Sequence, residues 1–110
     1  DAFVGAGGVD ATANDLVTVL KFLMSPDQSP LGKAITASTT LKLIGPQGGF
    51  GTFWVRQKSG QKTIIWHNGM TGGFNAFLGW IEGTQTGVFI LSNNGADVAT
   101  GLGLAMISEQ

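Results

Sequence analysis

The residues of this chain with the clearest chemical potential lie in the segment Trp66–Phe74. His67 is the only histidine, Gly69 follows two positions later, and Gly72 and Gly73 come directly after. A histidine can share a proton or hold a carboxylate near neutral pH, and a strand glycine allows another backbone to approach closely. An edge strand with unpaired amides can also bind an extended substrate by strand addition. The spacing therefore indicates a substrate-binding strand.

A plainer interpretation gives these residues structural roles only. A lone histidine in a strand more often has its ring nitrogens satisfied locally than it binds a substrate. The glycines that follow it can serve only to shape a hairpin. The three tryptophans of the chain are likewise expected to pack in the core or on a face of the sheet rather than to form a binding platform. The motif taken alone leaves both interpretations open.

Composition excludes several classes of function. The 110 residues carry 7 acids and 6 bases, and only 12% are charged, so the basic stripe of a nucleic-acid-binding protein is absent. The chain has no cysteine and a single histidine, which excludes a thiolate or multi-histidine metal site and predicts no cofactor. The longest apolar runs are about five residues, far below the roughly 20 of a transmembrane segment. Glycine is abundant, at 18 residues.

Helices are predicted at both ends of the chain. Thr12 and Asp15 form a variant capping box, and apolar residues then follow at helical spacing, which predicts a helix over 12–24. Loop residues are expected from Ser25 to Lys33, then a short helix over 34–44. The last predicted helix covers 96–109, where Gly101 and Gly103 suggest close packing on a sheet.

Between the helices the pattern changes to that of strands. Four antiparallel strands are predicted, over 51–57, 62–68, 74–81 and 87–92, with turns at the intervening glycines. The resulting fold class is α+β, an antiparallel sheet flanked by helices. Two strands read as continuous apolar runs, which predicts a sheet covered on both faces. Part of that cover is expected from residues outside this sequence or from a partner chain.

Four ordered segments carry a resemblance to a known family. His67-Asn68-Gly69 stands where serine β-lactamase-like hydrolases have Lys-Thr-Gly or His-x-Gly on a strand, and Met70-Thr71-Gly72-Gly73-Phe74 is similar to the continuation in class C β-lactamases. Gly7–Leu16 resembles a helix start common in the family, and Gly49–Trp54 resembles its Gly-x-Gly-Trp strand. The fourth segment, Gly87–Asn94, resembles a strand that follows in the family. The resemblance covers nearly all 110 residues and implies the β-lactamase/transpeptidase-like fold.

The resemblance also implies roles for individual residues. In this superfamily, which includes penicillin-binding D-Ala-D-Ala peptidases and esterases, a serine attacks a carbonyl and an acyl-enzyme forms. The backbone N–H of Met70 would be an oxyanion-hole donor, and His67 would hold a substrate carboxylate or support the proton network. Asn68 would donate a hydrogen bond to the same carboxylate, Gly69 would leave room for it, and Thr71 belongs to the substrate-binding set.

Departures from the family pattern concern the nucleophile. Ser59-Gly60-Gln61-Lys62 has the letters of Ser-x-x-Lys but falls on a predicted hairpin turn, and Ser92-Asn93-Asn94 fits Ser-x-Asn but ends a strand. Both are interpreted as chance matches, and tyrosine is absent. The expectation is that residues 1–110 form the C-terminal portion of a β-lactamase-like domain. Its N-terminal portion, carrying the nucleophile, would then be the main partner besides a small-molecule or peptide substrate.

Histidine in place of lysine favours an esterase or D-amino-acid peptidase over a dedicated β-lactamase. Histidine has a pKa near 6.5 and is mostly neutral at pH 7, so it is a weaker permanent clamp for a carboxylate. Two alternatives remain at this stage: a non-catalytic binding domain that retains the fold, and a free-standing dimer. The sequence contains no targeting segment that would fix the compartment, although the resemblance favours a periplasmic, secreted or envelope-facing protein.

Overall fold

The computed structural model describes residues 7–40, 42–46 and 48–110, which form three helices and one six-stranded sheet. The strands follow one another in the order β1-β2-β3-β4-β5-β6, and every neighbouring pair is antiparallel. The elements are α1 Ala13–Met24, α2 Pro30–Thr39, β1 Leu43–Gly45, β2 Gly48–Phe50, β3 Val55–Ser59, β4 Lys62–Thr71, β5 Phe74–Ile81, β6 Gly87–Ser92 and α3 Ala99–Ser108.

Helices cover both faces of the sheet, as the apolar strands predicted. Successive strand residues point to opposite faces, so Ile64 and Ile65 of β4 enter different apolar clusters. Ile65 packs with Trp80 and with residues of α1, whereas Ile64 packs with Ile81 and with Ile107 of α3. The fold is therefore α+β with three layers, and the two faces are called here the α1 face and the α3 face.

A capping box begins α1, as the sequence predicted. The side chain of Thr12 accepts a hydrogen bond from the backbone N–H of Asp15, and the Asp15 carboxylate accepts one from the backbone N–H of Thr12 at 2.8 Å. A second bond comes from the Thr12 hydroxyl at 2.7 Å. The backbone bond and then the hydroxyl bond lower the pKa of Asp15, because both favour the charged carboxylate.

This lowered pKa predicts a pH-dependent contribution to stability. The ionised Asp15 stabilises the folded state above the pKa of the unfolded chain, about 3.9, and the contribution is lost as the pH falls through the lower pKa of the folded state. We expect Asp15→Asn to lower the unfolding temperature at pH 6 and the gap from the native sequence to close at acid pH. Thermal unfolding at several pH values measures it, and a pH-independent gap would contradict the prediction.

The second helix lies earlier than the sequence predicted. It spans Pro30–Thr39 rather than 34–44, because the side chain of Ser29 caps it by accepting from the N–H of Gly32 at 3.1 Å. Proline at the first helical position is favourable, since its missing N–H would have had no partner there. Reading Pro30 as a loop residue was therefore wrong, and Ile44 lies in β1 instead.

The sheet has two more strands than predicted. The expected strand over 51–57 forms only from Val55, where β3 begins, and β3 continues to Ser59. Between β2 and β3 the Gly51 N–H donates to the C=O of Trp54 at 2.8 Å, which closes a turn. Gly45 and Gly48 pair in the β1–β2 hairpin, and Gln47 lies outside the described residues. The boundaries of β5 and β6 coincide with those predicted.

The last helix begins at Ala99, three residues later than expected, and packs on the sheet through one of its two glycines. A Cβ atom at Gly103 would lie 2.2 Å from the ring of Phe77, whereas one at Gly101 would meet nothing within 4 Å. The close-packing interpretation is confirmed for Gly103 and wrong for Gly101.

A half-buried guanidinium connects α2 with the sheet. Arg56 donates to the C=O of Thr39 at 2.8 Å and to both carboxylate oxygens of Glu82 at 2.7 Å, while its own side chain is only 14% exposed. Both bonds to Glu82 come from Nη2, and charge-assisted bonds of this kind are stronger than neutral ones. Glu82 therefore has a structural partner. In the part of the chain that the structure describes, no helix is long and apolar enough to cross a membrane.

Candidate substrate-binding strand

The second half of β4 has a strand partner on one side only. β4 pairs with β5 from Ile64 to Thr71, but its pairing with β3 ends at Trp66. The pairing stops there because β3 begins at Val55, directly after the turn at Gly51–Trp54. Residues 67–71 of β4 are therefore called the open edge.

The phase of the hairpin fixes which backbone groups face outward. The β4–β5 hairpin is closed by the pair Thr71–Phe74 around Gly72 and Gly73, whose φ angles are +44° and +93°, as a tight two-residue turn requires. In an antiparallel ladder, alternate residues bond to alternate neighbours. If Thr71 bonds to β5, the N–H and C=O groups of Asn68 and Met70 are directed to the open side.

His67 lies on the α1 face, beside an aromatic series. It is exposed, and its ring meets the edge of Trp54 at 6.4 Å between centroids. Trp54 is itself held by a perpendicular contact with Trp80 at 5.0 Å and by a 3.1 Å hydrogen bond from its Nε1 to the hydroxyl of Ser38. Two of the tryptophans expected in the core thus support the position of the imidazole.

Asn68 lies on the opposite face of the sheet from His67. Its Nδ2 donates to the hydroxyl of Thr100 at 2.9 Å, and that hydroxyl donates to the Asp97 carboxylate at 2.9 Å. This chain of hydrogen bonds connects the open edge to the first turn of α3. Because consecutive strand residues alternate between faces, the structure does not bring the Asn68 and His67 side chains together around one carboxylate.

Gly69 and Thr71 share the α1 face with His67, whereas Met70 shares the other face with Asn68. Met70 is 60% exposed. The role predicted for this position belongs to its backbone N–H rather than to its side chain. A Cβ atom at Gly69 would meet nothing within 4 Å. The predicted site residues thus form one continuous edge, but their side chains divide between two faces.

A groove lies beside the open edge on the α1 face, with a volume of about 690 Å³. Its floor includes the cross-strand row Gly69–Ala76–Leu91, and the irregular segment Gly7–Ala11 lines its wall. The contact between wall and edge is close, since a Cβ atom at Gly7 would lie 2.8 Å from Thr71. This cavity is called the groove below.

Asn75 is a supporting residue that the sequence reasoning missed. It is 3% exposed and lies opposite Met70 in β5. Its Nδ2 donates to the C=O groups of Asn94 and Ala96, at 2.5 and 2.7 Å, and its Oδ1 accepts from the N–H of Ala99 at 2.9 Å. It thereby fixes the start of α3 against the sheet. The available signal was a polar residue in an otherwise apolar strand, where asparagine is disfavoured.

In residues 7–40, 42–46 and 48–110, no group of three or more His, Cys, Asp or Glu side chains could hold a metal ion.

An antiparallel sheet covered by helices, with an open edge that carries His-x-Gly, is the arrangement expected of a serine β-lactamase-like hydrolase. The chain belongs to the Beta-lactamase family, whose family model matches residues 1–106. This assignment agrees with the α+β fold and places the chain in the serine hydrolase superfamily. Comparison with curated proteins and comparison with solved structures each found no match.

Proposed function

We propose that this chain forms one wall of the active site of a serine hydrolase that cleaves ester, amide or β-lactam bonds through an acyl-enzyme. The observation that carries the proposal is the open edge, where β4 continues for five residues past its last partner in β3. Its backbone groups are available to an extended substrate, which is how strand addition supplies both affinity and register.

The glycine at position 69 supports a ligand on this edge. Glycine in a strand costs stability, because it adds no packing and loses more backbone freedom than other residues. Nothing in the described protein requires it, since a Cβ atom there would enter open space and its φ angle is not positive. We infer that the bare position serves a group that approaches from outside.

The proposed mechanism uses Met70 through its backbone. A serine from a part of the enzyme outside these 110 residues attacks the carbonyl, and the Met70 N–H stabilises the negative charge that develops on oxygen. The Met70 C=O accepts a hydrogen bond from a substrate amide. The leaving group departs with a proton, and water then hydrolyses the acyl-enzyme. The Ser59–Lys62 motif is not the nucleophile in this scheme, because it closes the β3–β4 hairpin.

His67 contributes from the α1 face. Its ring is exposed and oriented by Trp54, so it can hold a substrate carboxylate or exchange a proton with the group that activates the serine. Histidine in place of the lysine common in the family favours esters or D-amino-acid peptides over β-lactams. Asn68 acts on the α3 face. Its hydrogen bond to Thr100 orients the Asn68 side chain, which contacts a substrate substituent that faces α3.

Replacement of His67 tests this proposal in the full-length protein. His67→Ala is expected to lower turnover of ester and peptide substrates about a hundredfold, the lower range for a group that transfers protons. His67→Lys restores the cation common in the family and is expected to retain more activity than the alanine variant. The measurement is kcat/KM together with labelling by a serine-reactive fluorophosphonate. Turnover by His67→Ala within twofold of the native enzyme would contradict the role.

Labelling of the isolated chain provides a second test. The 110-residue chain alone is expected to remain unlabelled, while the full-length protein is labelled at a serine in a helix-start Ser-x-x-Lys. A full-length protein without turnover or labelling would instead indicate a binding domain that retains the fold. Labelling at Ser59, abolished by Ser59→Ala, would show that the hairpin motif is reactive.

A further inference from the structure

Among the described residues that line the groove, Asp10 is the only charged one. The others include exposed apolar side chains, with Val9 at 88%, Phe74 at 61% and Leu91 at 51% exposure. Asp10 is itself exposed, so its carboxylate attracts a cation across a short distance while solvent screens part of the attraction.

Asp10 has no structural task that would explain the charge. The start of α1 is already satisfied by Thr12 and Asp15, whose reciprocal bonds complete the capping box. The single ion pair found among the described residues joins Arg56 and Glu82, on other elements. The Asp10 carboxylate is therefore left with neither a cationic partner nor a capping role in the described structure.

The geometry of the open edge directs one substrate substituent into the groove that Asp10 lines. Residues directly opposite each other in an antiparallel pair have their side chains on the same face. A substrate group that pairs with Gly69 therefore points to the α1 face, where the row Gly69–Ala76–Leu91 leads into the groove. The small side chains at positions 69 and 76 leave the passage open.

We propose that Asp10 makes the groove select substrates whose acyl group carries a cation, such as an ammonium or guanidinium. This inference rests on the proposed hydrolase function and names the substrate class of the same site. The apolar side chains contact the methylene chain of the acyl group, and the carboxylate binds its charged end. An acidic acyl group is excluded by like-charge repulsion.

Two esters of matched shape test the proposal on the full-length enzyme. p-Nitrophenyl 6-aminohexanoate ends in an ammonium group, and p-nitrophenyl heptanoate ends in a methyl group at the same position. The ratio of their kcat/KM values is expected to favour the ammonium ester, and Asp10→Asn should lower this ratio by up to about fivefold, the upper end for an exposed ion pair. Asp10→Lys should lower it further and favour the mono-p-nitrophenyl ester of adipic acid.

Glu109→Gln is the matched control, because it removes the same charge from the end of α3, away from the groove. The ratio should stay unchanged in this variant, and an equal fall would overturn the proposal by showing an effect of net charge alone. An unchanged ratio in both active Asp10 variants would also overturn it, while leaving the hydrolase function standing. Failure of the native enzyme to turn over either ester, together with absence of fluorophosphonate labelling, would reject the proposed function and this inference with it.

Discussion

Replacement of Gly69 by valine is expected to abolish most acyl transfer without unfolding the protein. The new side chain enters open space, and β-branched residues are favoured in strands, so the free energy of unfolding should stay equal or rise by a few tenths of a kcal/mol. A substrate added to the open edge would meet the valine methyl groups directly. We expect kcat/KM to fall at least about a hundredfold, since misplacement of about 1 Å can cost that much.

The control for this experiment is Thr63→Val on the same face of the same strand. Thr63 lies in the half of β4 that is paired with β3, so a valine there adds similar propensity away from the open edge. Its turnover should match that of the native enzyme. Full activity of Gly69→Val in a folded protein would mean that the bare strand position serves no substrate, and the open edge would lose its proposed role.

Replacement of Gly103 by alanine is expected to have the largest effect on stability. Its Cβ atom would lie 2.2 Å from Cδ1 of Phe77, which is 1% exposed and cannot move without disturbing the core. Overpacking of this kind typically costs about 1–3 kcal/mol, and the gain of about 1 kcal/mol in helix propensity offsets part of it. We expect a net loss of about 1 kcal/mol, measured by urea unfolding of the full-length protein.

Gly101→Ala is the matched control two residues away in the same helix. It has no atom within 4 Å of the added Cβ, so the helix propensity of alanine should stabilise the protein by about 0.5–1 kcal/mol. The two substitutions are chemically identical and should have opposite signs. A Gly103→Ala protein as stable as the native one would show that α3 can move away from β5 at little cost.

The packing at Gly103 also matters for the site. Phe77, which Gly103 approaches, lies opposite Asn68 in the sheet, and α3 carries the hydroxyl that receives the Asn68 hydrogen bond. An outward displacement of α3 large enough to admit a methyl group would lengthen the hydrogen bond between Asn68 and Thr100. We therefore expect Gly103→Ala to disturb the orientation of the Asn68 side chain as well as the packing of the core.

Local signals in the sequence were sufficient where neighbouring residues alone decide the conformation. The capping box of α1 was predicted because Thr12 and Asp15 are three positions apart, and β5 and β6 were predicted because their apolar runs are bounded by glycine turns. The same local reading misplaced α2, since a proline can either end a helix or begin one. Which of these happens depends on the cap formed by Ser29.

The sequence predicted which segment carries the candidate site, but not how its side chains are arranged in space. The position of His67, Asn68 and Gly69 on one strand followed from the sequence. The division of His67 and Asn68 between two faces follows from strand alternation. The hydrogen-bond partner of Asn68 could not be predicted from neighbouring residues. Thr100 is 32 positions away along the chain. Asn75 was missed for the same reason, because its partners lie at the start of a helix that packs only in the folded protein.

The sequence by itself determined the fold class, the family and the strand that carries the candidate chemistry, because periodicity, turn residues and short motifs are local properties of a chain. Tertiary structure decided that this strand is open on one side after Trp66, that Gly103 rather than Gly101 makes the close approach, and that Asp10 lines a groove beside Gly69. These are contacts between residues distant in sequence. They are set by how the layers pack and by where β3 leaves the edge of β4.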